Sequence, residues 1–224
     1  MRKIHSAMVV AVAVIALFAT SAIAAHSACP SGGTPAPGSR VHGGLEVDGV
    51  CILKGVTVDG GVKIANNGKL QLETSTVNGR IFVDDGGEVD VNATTSGAGV
   101  PTGTTSKING GIRIDDSFDV DIWTASIDGG INMKGSAAGS LPVICGNEVD
   151  GESSFSNASG QTRIGGGAMI SGATCGGNSF HGTVSLSNVN VSMGGNTIDG
   201  DLLCTSSTVI VTAPNTITGK NTCY

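Results

Sequence analysis

The sequence predicts an all-β protein, a single-stranded parallel β-helix. Three observations point there: a glycine mark that returns about every 19 residues, a two-residue alternation of apolar and polar side chains between marks, and a composition too poor in aromatics for an ordinary globule. Aromatic residues make up 3% of the chain, and all 36 glycines lie after Ala24, so any core must be built from aliphatic side chains. Charged residues, at 13%, are too few for a solvated disordered tail, and glycine lacks the three-residue period of collagen.

The start of the chain reads as an export signal. Arg2 and Lys3 form a basic opening, Ala7 to Ala19 is an apolar run too short for a comfortable membrane span, and Ala22-Ile23-Ala24 offers small residues for cleavage. The expected organisation is therefore a signal peptide at 1–24, an N-terminal cap segment at 25–40 and a β-helix at 41–224. The product is expected to be secreted or held at a cell surface, and not membrane-spanning. Without Arg2 and Lys3, 10 basic residues face 18 acidic ones, which argues against nucleic acid as a partner. Six cysteines in an exported chain imply three disulfides.

The mark is an aliphatic or aromatic residue, a polar residue and a glycine. It appears as Val41-His42-Gly43, Val58-Asp59-Gly60, Val77-Asn78-Gly79, Ile108-Asn109-Gly110 and Ile127-Asp128-Gly129. It continues as Val149-Asp150-Gly151, Phe180-His181-Gly182, Ile198-Asp199-Gly200 and Ile217-Thr218-Gly219. The glycine intervals are 17, 19, 31, 19, 22, 31, 18 and 19 residues; taking 12 from each long interval leaves a mean of 19. After each mark come alternating apolar pairs: Val62 and Ile64, Ile81 and Val83, Ile112 and Ile114, Ile131 and Met133. A second set follows: Leu70 and Leu72, Val89 and Val91, Val120 and Ile122, Val209 and Val211. Three short strands per 19 residues cannot bury their apolar faces as isolated hairpins, but they can if the chain coils and each turn lies on the one before. About eight to nine turns are expected. The absence of a strict hexapeptide period favours a right-handed coil. The polar-glycine pair reads as a corner in the left-handed conformation, which Asn, Asp and Gly tolerate; His42 and His181 stand in that corner column.

The register also pairs the cysteines. Cys204 and Cys223 each lie four residues after a mark glycine and should stack on adjacent turns. Cys145 and Cys175 lie six and seven residues before successive mark glycines, which leaves Cys29 and Cys51 to tie the start of the chain to the first turn. The stapled ends favour a monomer or small oligomer over endless stacking.

The turn Asn196-Thr197-Ile198-Asp199-Gly200-Asp201-Leu202-Leu203-Cys204, with its cysteine-bearing end, resembles the secreted β-helix repeat proteins common among bacterial exports. It is more distantly similar to the bactofilin polymer-forming family, which are cytoskeletal scaffolds, and to the pectate-lyase-like β-helix superfamily. The resemblance is one of repeat and fold over roughly 41–223; an export signal and cysteines set this chain apart from bactofilins.

Aligned by their glycines, two adjacent turns stack eight carboxylates in four pairs. Asp84, Asp85, Glu88 and Asp90 face Asp115, Asp116, Asp119 and Asp121. Like charges directly opposite repel. Lys69, continuing the Glu88 column, and Lys134, continuing the Asp115 column, are candidate neutralisers; the other candidate is a hard cation such as Ca²⁺, held by Asp84, Asp85, Asp115 and Asp116. Two insertions, roughly Ala93–Ser106 and Gly165–Thr174, should leave one corner of the coil. The column Thr57, Thr76, Ser126, Ser179, Thr197 and Thr216, interrupted by Lys107 and Glu148, should line an outer edge. No phosphate-cradling loop, His-Glu-x-x-His or Gly-x-Ser-x-Gly signature is present. The expected function is a non-catalytic extracellular β-solenoid with a structural, surface or adhesive role, binding a cation or an extracellular glycan. The alternative is a calcium-dependent polysaccharide lyase or related glycan-cleaving enzyme. Its proton-abstracting base would be Arg113 or Arg80, beside the Asp84, Asp85, Asp115 and Asp116 metal set.

Overall fold

The computed structural model describes residues 27–29, 34–65, 67–93, 103–168 and 174–224. The expected signal segment 1–24 lies outside the described residues, as do parts of the cap segment and the middles of both insertions. Among the described residues every element is a β-strand. Among the same residues, no helix is long and apolar enough to cross a membrane.

The strands form three long parallel sheets, and each turn contributes one strand to each, giving a β-solenoid of about nine turns. A turn enters the first sheet just after its mark glycine, as at Val62–Ile64. It then bends into the second sheet, as at Lys69–Glu73, and reaches the third with the residue that opens the next mark, as at Thr76–Val77. The mark register holds through every turn. Val41 pairs with Val58, Val58 with Val77, and the column continues through Ile108, Ile127, Val149, Phe180 and Ile198 to Ile217. From Val58 to Ile198 these residues are buried, as are the inward pairs of the other two sheets up to the last turn, where Val209 is half-buried and Val211 exposed. Each such side chain contributes roughly 1.5–3 kcal/mol on burial, so the stacked columns supply the core that the scarce aromatics cannot.

The glycine of the mark is required for a reason other than the one expected. Gly43 has a left-handed φ of 83°, but the mark glycines from Gly60 to Gly219 do not adopt one. Their backbones instead touch the neighbouring turn: a Cβ added at Gly79 would lie 2.5 Å from the amide nitrogen of Gly61, and one at Gly151 the same distance from that of Gly130. Apart from Gly43 and Gly111, which lie at the mark corner, most of the left-handed residues sit at the other two corners. Between the first and second sheets they are Asn67, Gly86, Asp116, Gly135, Gly139, Asn157, Asn188 and Ser206. Between the second and third they include Gly55, Thr74, Thr124, Gly146, Gly166 and Gly195.

A ladder of asparagines lines the inside of the second of these corners. Asn147, Asn178 and Asn196 each donate from Nδ2 to Oδ1 of the next asparagine, ending at Asn215, at 2.8–2.9 Å. The same Oδ1 atoms accept the backbone N–H of the asparagine below, and each Nδ2 also donates to a carbonyl of the second sheet. Earlier turns fill this column with Ser75 and Ser106, whose hydroxyls accept the amides of Val56 and Ser75.

All three expected disulfides form: Cys29–Cys51, Cys145–Cys175 and Cys204–Cys223, with Cα–Cα separations of 6.0, 5.3 and 5.0 Å. The first and last staple the ends. The middle one ties the second insertion, folded back as Gly167–Ala168 against Thr174–Cys175, to the second sheet. Both insertions leave the corner between the second and third sheets, as expected.

Candidate functional site

On the second sheet, residues alternate between the core and the outside. Val89, Val91, Val120 and Ile122 point in; Glu88, Asp90, Asp119 and Asp121 stand on the other face. The register sets Lys69, Glu88 and Asp119 in one outer column and Gln71, Asp90 and Asp121 in the next. The second column then runs into Val143, which packs outside the core with Ala93, Trp123, Cys145 and Cys175. That small apolar cluster encloses the end of the acidic column. Although it faces outward, Asp90 is 4% exposed and Asp121 7%.

Lys69 neutralises part of this charge, as the column alignment predicts. Its Nζ lies 2.9 Å from Glu88 Oε2 and 3.0 Å from Asp90 Oδ2. Burial pulls the ammonium toward a lower pKa, but the hydrogen bonds to Glu88 and Asp90 outweigh it and hold Lys69 above the ordinary lysine range. Asp90 also accepts a long hydrogen bond from Gln71 Nε2 at 3.4 Å. Asp119 accepts the amide of Val120 at 3.0 Å. Burial and then the Asp90 charge raise the Asp119 pKa. Asp121 has no hydrogen-bond donor among the described residues. Burial first, and then the charges of Asp119 and Asp90, push its carboxyl up to about 7.

Carboxylate oxygens of Asp90, Asp119 and Asp121 lie within 4.8 Å of one another. Two oxygens coordinated to one Ca²⁺ at about 2.4 Å can be at most about 4.8 Å apart, so the trio has the span of a Ca²⁺ coordination sphere. Three carboxylates carry up to six oxygens, within the six to eight that Ca²⁺ takes. The donor set, all oxygen, fits a hard cation.

The corner carboxylates form no such group. Asp84 lies 3.8 Å from Lys63 Nζ, Asp115 accepts Arg113 Nη2 at 2.9 Å, and Asp85 is exposed. Asp116 is one of the left-handed corner residues, with φ of 51°. The register does set Asp115 beside Lys134. Arg113 is engaged with Asp115, and its guanidinium lies 5.6 Å from the Phe82 ring centroid; Arg80 donates from Nε to the Gly110 carbonyl at 3.3 Å. Arg113 lies within a first-sheet strand and Arg80 just before one, on a different face of the coil from the acidic trio.

A second group capable of holding a metal sits on the outer face of the third sheet: Glu148, Asp150 and His181, again with ligand atoms within 4.8 Å of one another. His181 is thus more than a corner residue, and the sequence reading missed its neighbours. The signal was present: Glu148 interrupts the Ser/Thr column next to His181 in the mark column. Compared with protein-family models, with curated proteins and with solved structures, the chain matches none.

Proposed function

We propose that the chain is an exported, non-catalytic β-solenoid with a structural or adhesive role at a cell surface or in an extracellular matrix, and that Ca²⁺ is held on its second sheet by Asp90, Asp119 and Asp121. The observation that carries the cation is Asp121: a carboxyl group 7% exposed, without a hydrogen-bond donor among the described residues, facing two other carboxylates. A buried charge is stable when paired or bound to a metal. Lys69 offsets one charge of a group that carries four when fully ionised. A bound Ca²⁺ would offset two of the remaining three and give the face a coordination position for an acidic extracellular glycan. The disulfides support an oxidising compartment.

The lyase alternative would hold its cation on Asp84, Asp85, Asp115 and Asp116, but these four make no group of metal-ligand span, and the guanidinium of Arg113, one of the bases it offers, is paired with Asp115. Two measurements test the proposal together. Millimolar Ca²⁺ should raise the melting temperature over that in chelator, and incubation with a panel of acidic polysaccharides should yield no unsaturated or hydrolysed products. An unchanged melting temperature removes the cation; turnover removes the non-catalytic role.

A further inference from the structure

We propose that Glu148, Asp150 and His181 form a second, separate metal site that takes a borderline divalent ion of the Zn²⁺ type. The register places His181 between Asp150 on the turn below and Asp199 on the turn above, because Val149, Phe180 and Ile198 pair in sequence. Glu148 and Ser179 occupy the neighbouring column of the same two turns.

The imidazole is oriented from behind. His181 Nδ1 lies 3.0 Å from Asp199 Oδ2. A carboxylate only accepts, so Nδ1 carries a proton, and the nitrogen left to coordinate a metal is Nε2 on the other side of the ring. That side holds Glu148 Oε1 at 3.7 Å and Ser179 Oγ at 3.4 Å, and a carboxylate oxygen of Asp150 completes a group of ligand atoms within 4.8 Å of one another. A carboxylate bonded to the remote nitrogen of a ligating histidine is the usual support of a zinc-bound imidazole, fixing its tautomer and raising its basicity. Ligand atoms bound tetrahedrally to Zn²⁺ at about 2.0–2.1 Å lie about 3.3 Å apart. The 3.7 Å between Nε2 and Glu148 is already near that spacing. Three protein ligands leave a fourth position open to water or to a ligand.

Ser179, His181 and Asp199 also stand in the order of a nucleophile, a base and its orienting acid. The charges around them decide against that reading. Acyl transfer needs donors where an oxyanion forms, whereas Glu148 and Asp150 place negative charge beside the imidazole, an arrangement that attracts a cation. His42 provides an internal contrast. It too has Nδ1 on an aspartate, Asp59 at 2.8 Å, but Arg40 is bonded to the same carboxylate, and His42 belongs to no group of three candidate ligands among the described residues.

The test is Zn²⁺ titration by calorimetry, with Co²⁺ absorption as a second readout, on the disulfide-bonded protein without an affinity tag. One saturable equivalent is expected in the wild type. His181→Asn should abolish it, and Glu148→Gln should weaken it at least tenfold. Asp199→Asn, which removes a positioning residue, should weaken it about 10- to 100-fold while leaving a Co²⁺ spectrum with the wild-type ligand set. His42→Asn and Asp121→Asn should leave it unchanged, the latter separating this site from the Ca²⁺ trio. Binding that survives His181→Asn, falls equally in His42→Asn, or is absent from the wild type overturns the proposal. Circular dichroism of each variant confirms that the solenoid is intact, since all the substituted side chains except Asp121 are at the surface.

Discussion

At the residue scale, Asp121 couples the solenoid's stability to pH. Its carboxyl titrates near 7 in the folded chain against 3.8 ordinarily. The folded state therefore holds a proton that the unfolded chain has released, and the stabilisation this gives is lost as pH rises from about 4 through 7. The loss is on the order of 4 kcal/mol once Asp121 is fully ionised; Asp119, also raised, adds to it. In metal-free buffer the melting temperature should fall between pH 5 and pH 8. Asp121→Asn should flatten that fall and be more stable than the wild type at pH 8. A wild-type melting temperature that rises across this range would contradict the assignment. The carboxylate pairing itself was legible in the sequence, because glycine alignment fixes which residues face each other across turns. Where the oxygens converge was not. At a corner the backbone turns away and side chains such as Asp84, Asp85 and Asp116 fan outward, whereas on a flat strand Asp90 and Asp121 stack in one column at roughly 4.8 Å.

At the element scale, the corners carry the fold's specificity. The asparagine ladder satisfies backbone amides and carbonyls that a tight bend would otherwise leave buried and unpaired. Asn178→Ala removes the acceptor for the Asn147 amide and the donor to the Ile144 carbonyl together. It should cost about 2–4 kcal/mol, read as a drop in denaturation midpoint, since each buried group left unpaired costs about 1–3 kcal/mol. Gly151→Ala should be at least as damaging, because the added methyl meets the backbone of Gly130 rather than a side chain that could move. Gly139→Ala, at a glycine with open space around it, gives the comparison and should cost only its left-handed φ of 90°, about 1–2 kcal/mol. Asn147, Asn178, Asn196 and Asn215 each stand four residues before a mark glycine, so the ladder was written in the sequence. It went unread because asparagine beside a turn is also what a solvent-exposed corner would show.

At the scale of the whole molecule, one register accounts for the sheets, the core columns and all three disulfides. The sequence spacing carries it because parallel turns translate every residue by the same rise, so a mark in one column fixes all the others. The ends are where a solenoid frays, and Cys204–Cys223 closes a 19-residue span at the last of them. Its loss through paired serine substitutions should destabilise that end by about 3 kcal/mol. Amides of Leu202–Thr205 should then exchange with solvent first, ahead of those in Ile112–Ser117. Uniform loss of protection along the coil would contradict the turn-by-turn assembly. The acidic trio lies well inside the stack, so its cation should be retained in the end-frayed variant. Calcium titration by calorimetry at pH 8, on the wild type and Asp121→Asn, tests the central claim most directly. The wild type should show one saturable site that Asp121→Asn loses; no binding by the wild type, or equal binding by both proteins, would contradict the account.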